Sequence, residues 1–435
     1  MSAWPQRRPQ VQWVLFLLPV LLLLAWVGGD LLAVKGVETL RATVILTILS
    51  LASLLIFWMA TRAEPQGRIL FNVLLASFGL KLFAAWFRFY AHLLADAFVY
   101  SETGAEIAEQ LSRGQWPALP DYTGTEFVRL LTGLVYFVTG PTTYGATILW
   151  AWIGLLGMLF FYKAFTTAFP NGDRRLFMLM IFFYPSMLLW TSSISKDALV
   201  VFSLGMAAYG TARMKNRIDF PALWWLAVGT TGMLVVRPHI AGVFVVALAA
   251  FALTRPIRAG MMTPVIRLFS LLLFVAIAVA VVRTAAGFVR LESLAAQDVL
   301  EFIEVRRERT MQGGSAFEQV NPTTPSGLAL AIPTVLFRPF PWEANNVFAL
   351  VAALEGLGLF VLIVYRWRSV VAALAGSPRD GYLLMMLVYS LLFIFFFSAI
   401  ANFGIIARQR VQLFPFIFMM IAYLAARPRR QRSVA

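Results

Sequence analysis

Long apolar runs separated by short polar turns follow one another along most of the chain. A helix of about 20 apolar residues can cross a lipid bilayer, and most of the runs approach that length. None shows the roughly ten-residue alternation that is typical of outer-membrane barrels. The pattern predicts an all-α fold, a polytopic transmembrane helical bundle of about 12 spans with short amphipathic external helices. The predicted spans are 12–34, 40–61, 69–95, 143–166, 174–193, 197–213, 221–236, 240–254, 264–287, 345–366, 382–400 and 407–426.

The whole chain, residues 1–435, is interpreted as a single integral membrane domain. Residues 1–66 would form a peripheral hairpin, whose first apolar run is too long for a cleaved signal peptide. Two polar stretches, 96–140 and 288–344, are predicted to be large external loops. Within the first loop, residues 127–138 are apolar but too short to span comfortably, so a re-entrant helix and a surface helix both stay open.

Basic residues are concentrated on one side of the predicted spans. With the N-terminus inside, the inner loops and termini carry 20 of the 36 basic residues and four of the 21 acidic ones, a net charge of +16 (20 − 4). This asymmetry follows the positive-inside rule and predicts that both termini are cytoplasmic. The sequence pI of 10.5 therefore reflects membrane topology rather than a nucleic-acid partner. The chain is 60% hydrophobic and has no cysteine, which excludes disulfides and thiolate metal sites.

Four ionisable residues at the third predicted span share one helix face. Lys81, Arg88, His92 and Asp96 follow one another at spacings of seven, four and four residues, within about 80° on a helix. An ionised side chain facing lipid costs roughly 2.5–3.5 kcal/mol on insertion scales, so this stripe should face the interior of the bundle. Two alternatives stay open: a polar network that fastens helices together, or a functional cavity that ends at Asp96.

Further polar residues fall at turns on the predicted outer side, where the positive-inside rule depletes basic residues. Lys196 and Asp197 form one such turn, which would either cap a tight hairpin or place a lysine near a lipid phosphate. Arg237 and His239 flank Pro238 in another turn. The histidine would equally suit an ordinary interfacial position, whereas the arginine is harder to explain by topology.

Two more outer segments place arginine beside aromatic and amide side chains. The residues are Arg338, Trp342 and Glu343 in the first segment and Arg408, Arg410 and Gln412 in the second. A structural belt at the membrane interface would account for the aromatic residues but not for the arginine and glutamate between them. Arginine binds phosphate through two parallel hydrogen bonds and stays charged in every environment, so a lipid phosphate is its natural partner.

The first external loop resembles that of a known family. Its D-x-x-x-Y…A-x-x-L-x-x-G pattern consists of Asp96, Tyr100, Ala108, Leu111 and Gly114. This is similar to the first external loop of GT-C glycosyltransferases, which use polyprenyl-phosphate sugars, and the resemblance implies that Asp96 is the catalytic base. The stretches PSxxxWxSxxSKD, RPH, FRPFPWE and NFGxxxRQR look like those of bacterial exopolysaccharide membrane proteins, both GT-C-like and O-antigen-polymerase-like.

The resemblance, which covers roughly residues 90–415, implies an inverting glycosyltransferase at the periplasmic face of a bacterial inner membrane. It would transfer a sugar from a polyprenyl-phosphate donor to a glycan, lipid or protein acceptor. The predicted residues that bind the donor phosphate or lipid are Lys196, Arg237, His239, Arg338, Arg408 and Arg410. The predicted substrate-binding or supporting residues are Arg88, His92, Tyr100, Glu102, Asp197, Trp342, Glu343 and Gln412.

Two other functions stay open. A polysaccharide polymerase would bind a lipid diphosphate with arginines and need no catalytic carboxylate, whereas a non-enzymatic flippase would move lipid-linked sugar without forming a glycosidic bond.

The expected partners are the polyprenyl-phosphate lipid, its acceptor and membrane lipids. No cofactor is predicted to be required. A divalent cation would need several carboxylates to converge, and spacing along the chain does not support that strongly. Those carboxylates are Asp96, Glu102, Asp197 and Glu343.

Overall fold

The computed structural model describes residues 36–91, 95–254, 279, 283, 324–398 and 400–425. Helices are the only regular elements in this part of the chain, so the all-α prediction is confirmed for it. Several predicted features lie outside the described residues: the span 12–34, nearly all of the span 264–287, the candidate residue His92 and much of the loop 288–344.

The chain divides into two compact units, one formed by Met1–Met158 with Phe182–Phe202 and the other by Leu159–Ile181 with Ser203–Ala435. The helices are α1 Val37–Thr61, α2 Gly67–Tyr90, α3 Ala95–Ser112, α4 Gly124–Thr139, α5 Thr143–Ala168, α6 Arg174–Phe183, α7 Pro185–Leu189, α8 Lys196–Asn216, α9 Phe220–Val236, α10 Pro238–Leu253, α11 Pro325–Phe337, α12 Val347–Tyr365, α13 Trp367–Gly376, α14 Gly381–Phe397, α15 Phe403–Gln409 and α16 Phe414–Ala422. Short 3-10 turns lie at Pro341–Glu343 and Arg410–Gln412.

Four helices are long and apolar enough to cross a membrane, namely α1, α2, α5 and α12. Two bent pairs pass the same test when each is taken as one span. These are α13 with α14, bent by 108°, and α15 and its following 3-10 turn with α16, bent by 58°. The described residues thus hold four candidate spans, or up to six, and two shorter apolar helices, α9 and α10. These helices indicate a membrane protein, but the predicted count of twelve spans is not confirmed.

The third and fifth predicted spans differ from the helices that form. The helix of the third span ends at Tyr90, so Asp96 lies in the first turn of the next helix, α3. The predicted stripe of four residues on one continuous helix is therefore wrong beyond Arg88. The fifth span is interrupted at Tyr184, because Pro185 begins α7 and has no amide hydrogen for the preceding turn. A proline inside an apolar run predicts a break in the helix there, and the helix is broken at Pro185.

In the first unit, the short helix α4 packs along α3. Gly104 and Gly133 let the two backbones approach closely, since a Cβ on Gly104 would lie 2.7 Å from the Thr132 side chain. The Ser101 hydroxyl is 2.6 Å from the Tyr136 hydroxyl, which adds a buried hydrogen bond between the helices. Helix α4 ends at Thr139, and its C-cap Gly140 has a φ of +75°, which residues with side chains rarely adopt. The apolar segment 127–138 thus belongs to a helix that covers α3.

In the second unit, α9 and α10 form a hairpin and α14 packs against α10. Ion pairs tie the ends of its helices together. Arg213 binds Asp219 at 2.8 Å, and Asp219 also accepts a hydrogen bond from the Ala222 amide as the N-cap of α9. Lys215 binds Asp380, the N-cap of α14, at 2.6 Å. These pairs fix how the polar ends of the helices meet.

Two glycines of α12 offer a matched test of packing in this unit. A Cβ added at Gly356 would lie 2.5 Å from the Phe337 carbonyl oxygen, whereas nothing lies within 4 Å of a Cβ at Gly358. We expect Gly356→Ala to lower the free energy of unfolding by about 1–3 kcal/mol through overpacking. Gly358→Ala should be neutral or roughly 0.5–1 kcal/mol stabilising. Thermal unfolding in detergent measures both, and equal effects would contradict the close contact at Phe337.

Candidate functional site

In the second unit, the break between α9 and α10 holds a buried arginine. Arg237 lies between Val236, the last residue of α9, and Pro238, the first of α10. Proline suits the first position of a helix because its missing amide hydrogen is not needed there. The Arg237 side chain is buried, and its Nη1 donates a hydrogen bond to Oε1 of Gln409. The sequence-predicted residue is thus joined to the end of α15.

Two glutamines continue the hydrogen bonding that starts at Arg237. A guanidinium group can only donate, so Gln409 must present its amide oxygen to Arg237. The same oxygen accepts a hydrogen bond of 2.9 Å from Nε2 of Gln412. Gln412 is fully buried, and the oxygen of its side-chain amide, Oε1, has no hydrogen-bond partner among the described residues. The hydrogen bonds from Arg237 to Gln409 and from Gln412 to Gln409 thus leave one buried acceptor, Oε1 of Gln412, at their end.

Arg410 holds the end of α11. It is fully buried, and its Nη1 donates hydrogen bonds to the Leu336 carbonyl at 3.2 Å and to the Arg338 carbonyl at 2.8 Å. The last carbonyls of a helix lack amide donors from their own helix, and a cation near them is favourable. Pro339 and Pro341 follow α11 and supply no amide hydrogens, so the arginine takes over part of that task.

The segment after α11 is closed by an ion pair. Arg338 Nε lies 2.9 Å and 3.1 Å from the two carboxylate oxygens of Glu343, and Glu343 also accepts a hydrogen bond of 2.8 Å from the Phe340 amide. Burial acts to raise the pKa of the Glu343 carboxyl. The hydrogen bonds from Arg338 and Phe340 and the charge of Arg338 outweigh burial and hold that pKa below its ordinary value. The carboxylate therefore stays ionised at neutral pH.

Arg237, Arg338, Gln409, Arg410 and Gln412 are called here the arginine cluster. The turn 236–240 and the segments 336–343 and 402–412 carry four arginines, the fourth being Arg408, and one acid, Glu343. Glu355, buried in α12, is a second acid beside Gly356, whose backbone approaches Phe337. Together with Glu355, these three segments hold four arginines and two acids, a formal net charge of +2 (4 − 2). An apolar environment strengthens the attraction of such a cluster for an anion.

The other predicted site residues of the second unit lie close in sequence to members of the arginine cluster. His239 is half-buried in α10, with its ring 6.2 Å from that of Phe397. Arg408 is half-buried in α15. Trp342 is 80% exposed, and its ring stacks on that of Phe340 at a centroid distance of 5.0 Å. Gln409 was not predicted, although a polar residue between two arginines before an apolar helix is a signal that could have indicated it.

In the first unit, Lys81 and Arg88 bind the region of the broken fifth span. Lys81 is fully buried, and its Nζ donates to the carbonyls of Met187 and Thr191 at 3.3 Å each. Arg88 donates to the Leu189 carbonyl at 3.0 Å, and its guanidinium lies 5.5 Å from the centroid of the Trp190 ring. These contacts favour the polar-network alternative for Lys81 and Arg88, since they hold α7 against α2.

The predicted catalytic loop belongs to the same unit. Asp96 is exposed in the first turn of α3, where the helix dipole favours a negative charge. Tyr100 lies one turn after Asp96 on that helix and is buried. Glu102 lies two residues after Tyr100 and is exposed. Lys196 Nζ donates a hydrogen bond of 2.8 Å to the Thr125 hydroxyl, and Asp197 is fully buried in the first turn of α8. Lys196 thereby links α8 to the start of α4.

Metal ligands do not gather in the described part of the chain. No group of three or more His, Asp or Glu side chains there is placed to hold a metal ion. No protein-family model, curated protein or solved structure matches this chain.

Proposed function

We propose that the protein is a membrane glycosyltransferase of the GT-C type that takes its sugar from a polyprenyl-phosphate-linked donor. The arginine cluster would hold the phosphate of the donor, and Asp96 would act as the general base. The observation that carries this proposal is the cluster itself, in which Arg237 and Arg410 are buried and held by hydrogen bonds at the turns of an apolar helical unit.

Phosphate is the anion that suits this cluster best. Guanidinium groups bind phosphate oxygens through paired hydrogen bonds, and they keep their charge when water is excluded. The buried Oε1 of Gln412 is an acceptor, so it would bind a donor group such as a sugar hydroxyl rather than the phosphate. A ligand with both an anionic group and hydroxyl groups, such as a sugar phosphate, would use both kinds of side chain.

The reaction balances with the residues proposed. An acceptor hydroxyl gives its proton to the Asp96 carboxylate, and its oxygen bonds to the anomeric carbon of the sugar. The bond between that carbon and the phosphate oxygen breaks, and the phosphate leaves with the electron pair. A single displacement inverts the anomeric centre. The arginines would stabilise the charge that grows on the leaving phosphate, and Asp96 would supply general-base catalysis.

The charge distribution along the chain supports a location for this reaction. Under the positive-inside rule, both termini would be cytoplasmic and the active site would face the periplasm of a bacterial inner membrane. The partners would be the polyprenyl-phosphate-sugar lipid, a glycan, lipid or protein acceptor, and the surrounding lipids. The reaction as written requires no cofactor.

A second candidate function is polysaccharide polymerisation from a lipid-diphosphate-linked oligosaccharide. It is favoured by the chemistry of the arginine cluster, which consists of guanidinium and amide groups, whereas the neighbouring Glu343 is bound to Arg338. Such a site would need no carboxylate as base. A flippase would bind the same lipids, and the absence of any new glycosidic bond would distinguish it.

Gln409→Glu tests the proposed phosphate site. The substituted carboxylate can still accept hydrogen bonds from Arg237 and Gln412, but it adds a negative charge within the arginine cluster. We expect binding of polyprenyl phosphate to weaken by roughly tenfold to a hundredfold, because a nearby carboxylate cancels one arginine charge. Binding to purified protein in nanodiscs measures this effect, with polyprenyl diphosphate tested in parallel.

Two controls separate charge from structure in this experiment. Because glutamate can accept the same two hydrogen bonds as Gln409, the thermal stability of the variant should be unchanged or higher. Asn216→Asp adds the same charge at an exposed residue at the end of α8 and should leave lipid binding unchanged. Undiminished binding of both lipids by Gln409→Glu would overturn the phosphate site. A strong preference for the diphosphate would favour the polymerase.

A further inference from the structure

A stack of aromatic rings and one guanidinium leads from the arginine cluster to the protein surface. The Arg338 guanidinium lies 5.5 Å from the centroid of the Phe403 ring and 6.0 Å from that of Phe340. The Phe340 ring in turn stacks on Trp342, with 5.0 Å between centroids and an angle of 21° between planes. Since Trp342 is 80% exposed, its large ring is supported on one side and accessible to a ligand.

The backbone that carries this stack is held in place. Glu343 binds both the Arg338 side chain and the Phe340 amide, which closes the turn Pro341–Glu343 on which Trp342 sits. Arg410 donates a hydrogen bond to the Arg338 carbonyl, so Arg338 connects the turn to Arg410. A tryptophan that only anchors a protein at a membrane interface does not require such fixed placement relative to an arginine.

A supported, exposed indole ring has the chemistry to bind a sugar. The face of an aromatic ring carries partial negative charge, and the axial C–H groups of a pyranose form an apolar, slightly positive face that stacks on it. The exposed amides of Asn345 and Asn346 follow the turn, where Nδ2 of Asn346 donates a hydrogen bond of 2.8 Å to Oδ1 of Asn345 and Oδ1 of Asn346 accepts one of 2.9 Å from the Ala349 amide. In a sugar phosphate the anomeric carbon is bonded to a phosphate oxygen, and Trp342 lies four residues after Arg338 on the same closed segment.

We propose that Trp342, backed by Phe340, is the platform for the sugar ring of the lipid-linked donor. This proposal rests on the proposed function and extends it, since it assigns the sugar and the phosphate of one ligand to adjoining parts of one segment. Trp342 would set which sugars are accepted through the shape of the pyranose face that it contacts.

The test compares the lipid with and without its sugar. Purified protein in nanodiscs is titrated with polyprenyl phosphate and with polyprenyl-phosphate-linked glucose, mannose and galactose. The wild type should bind at least one glycosylated lipid about five- to tenfold more tightly than the bare lipid, a gain typical of one stacking contact. Trp342→Leu should abolish that preference and leave binding of the bare lipid unchanged, whereas Trp342→Phe should retain most of the preference.

A matched control is Trp367→Leu, which removes another exposed tryptophan of the same unit and should change neither lipid. Trp342→Leu would overturn the platform if it left the sugar preference intact or weakened both lipids equally, as loss of a membrane anchor would. A wild type that binds bare lipid but prefers no sugar would overturn the platform alone. A wild type that binds none of these lipids would overturn the proposed function, and the platform with it.

Discussion

Replacing Asp96 with asparagine should lower the rate of sugar transfer by about 10²–10⁴-fold, the usual effect of removing a positioned general base. The amide is close to the carboxylate in shape but cannot take the proton of the acceptor hydroxyl. The side chain is exposed at the first turn of α3, so the loss of its favourable interaction with the helix dipole should cost less than about 1 kcal/mol of stability. Activity and folding should therefore separate in this variant.

Glycolipid or polymer output from membranes containing Asp96→Asn gives the measurement, with thermal unfolding as the control for folding. Undiminished output would remove Asp96 from the mechanism. If Asp96→Asn kept its activity while folded Arg408→Ala lost it, the polymerase would be the better account, because it relies on arginines and needs no carboxylate base.

Replacing Arg410 with methionine should lower the free energy of unfolding by about 3–5 kcal/mol. The substitution keeps a long apolar side chain but removes the donors that reach the Leu336 and Arg338 carbonyls. Because Arg410 is fully buried, water would not readily replace those hydrogen bonds. The end of α11 would loosen, and the ion pair between Arg338 and Glu343 would lose its fixed position.

Thermal and chemical unfolding in detergent measure this effect, and Arg408→Met is the matched control. Arg408 is half-buried and lies two residues earlier, so its replacement should cost less than about 1 kcal/mol. Equal stability losses in the two variants would contradict the specific role of Arg410 at the end of α11. Arg410 thus has a structural task in addition to any contact with phosphate.

The sequence predicted the class of the fold better than the course of its helices. Apolar runs and the position of Pro185 were sufficient for helices and for one break, because both depend on local chemistry. The end of α2 at Tyr90 was not predicted, since residues 91–95 are mostly apolar and carry no strong helix-ending signal. The 3-10 turn at Arg410–Gln412 was not predicted either, because the contacts of Arg410 are with carbonyls more than 70 residues away in the chain.

The candidate site shows the same limit. Charge placement alone indicated Arg237, Arg338 and Arg410, because arginines on the side that membrane topology depletes are unusual. Their partners could not be found in this way. Gln409 binds an arginine 172 residues away, and Arg410 binds backbone carbonyls, which are present at every residue and leave no trace in a sequence.

The buried contacts of α2 have a consequence for how the protein is made. Lys81 and Arg88 come 106 and 101 residues earlier in the chain than the Met187 and Leu189 carbonyls that they bind. A ribosome therefore delivers the donors before the acceptors, so these groups are already present when α7 is made. A chain that lacked α1 and α2 would form α7 without these donors, and carbonyls that neither a donor nor water reaches cost free energy.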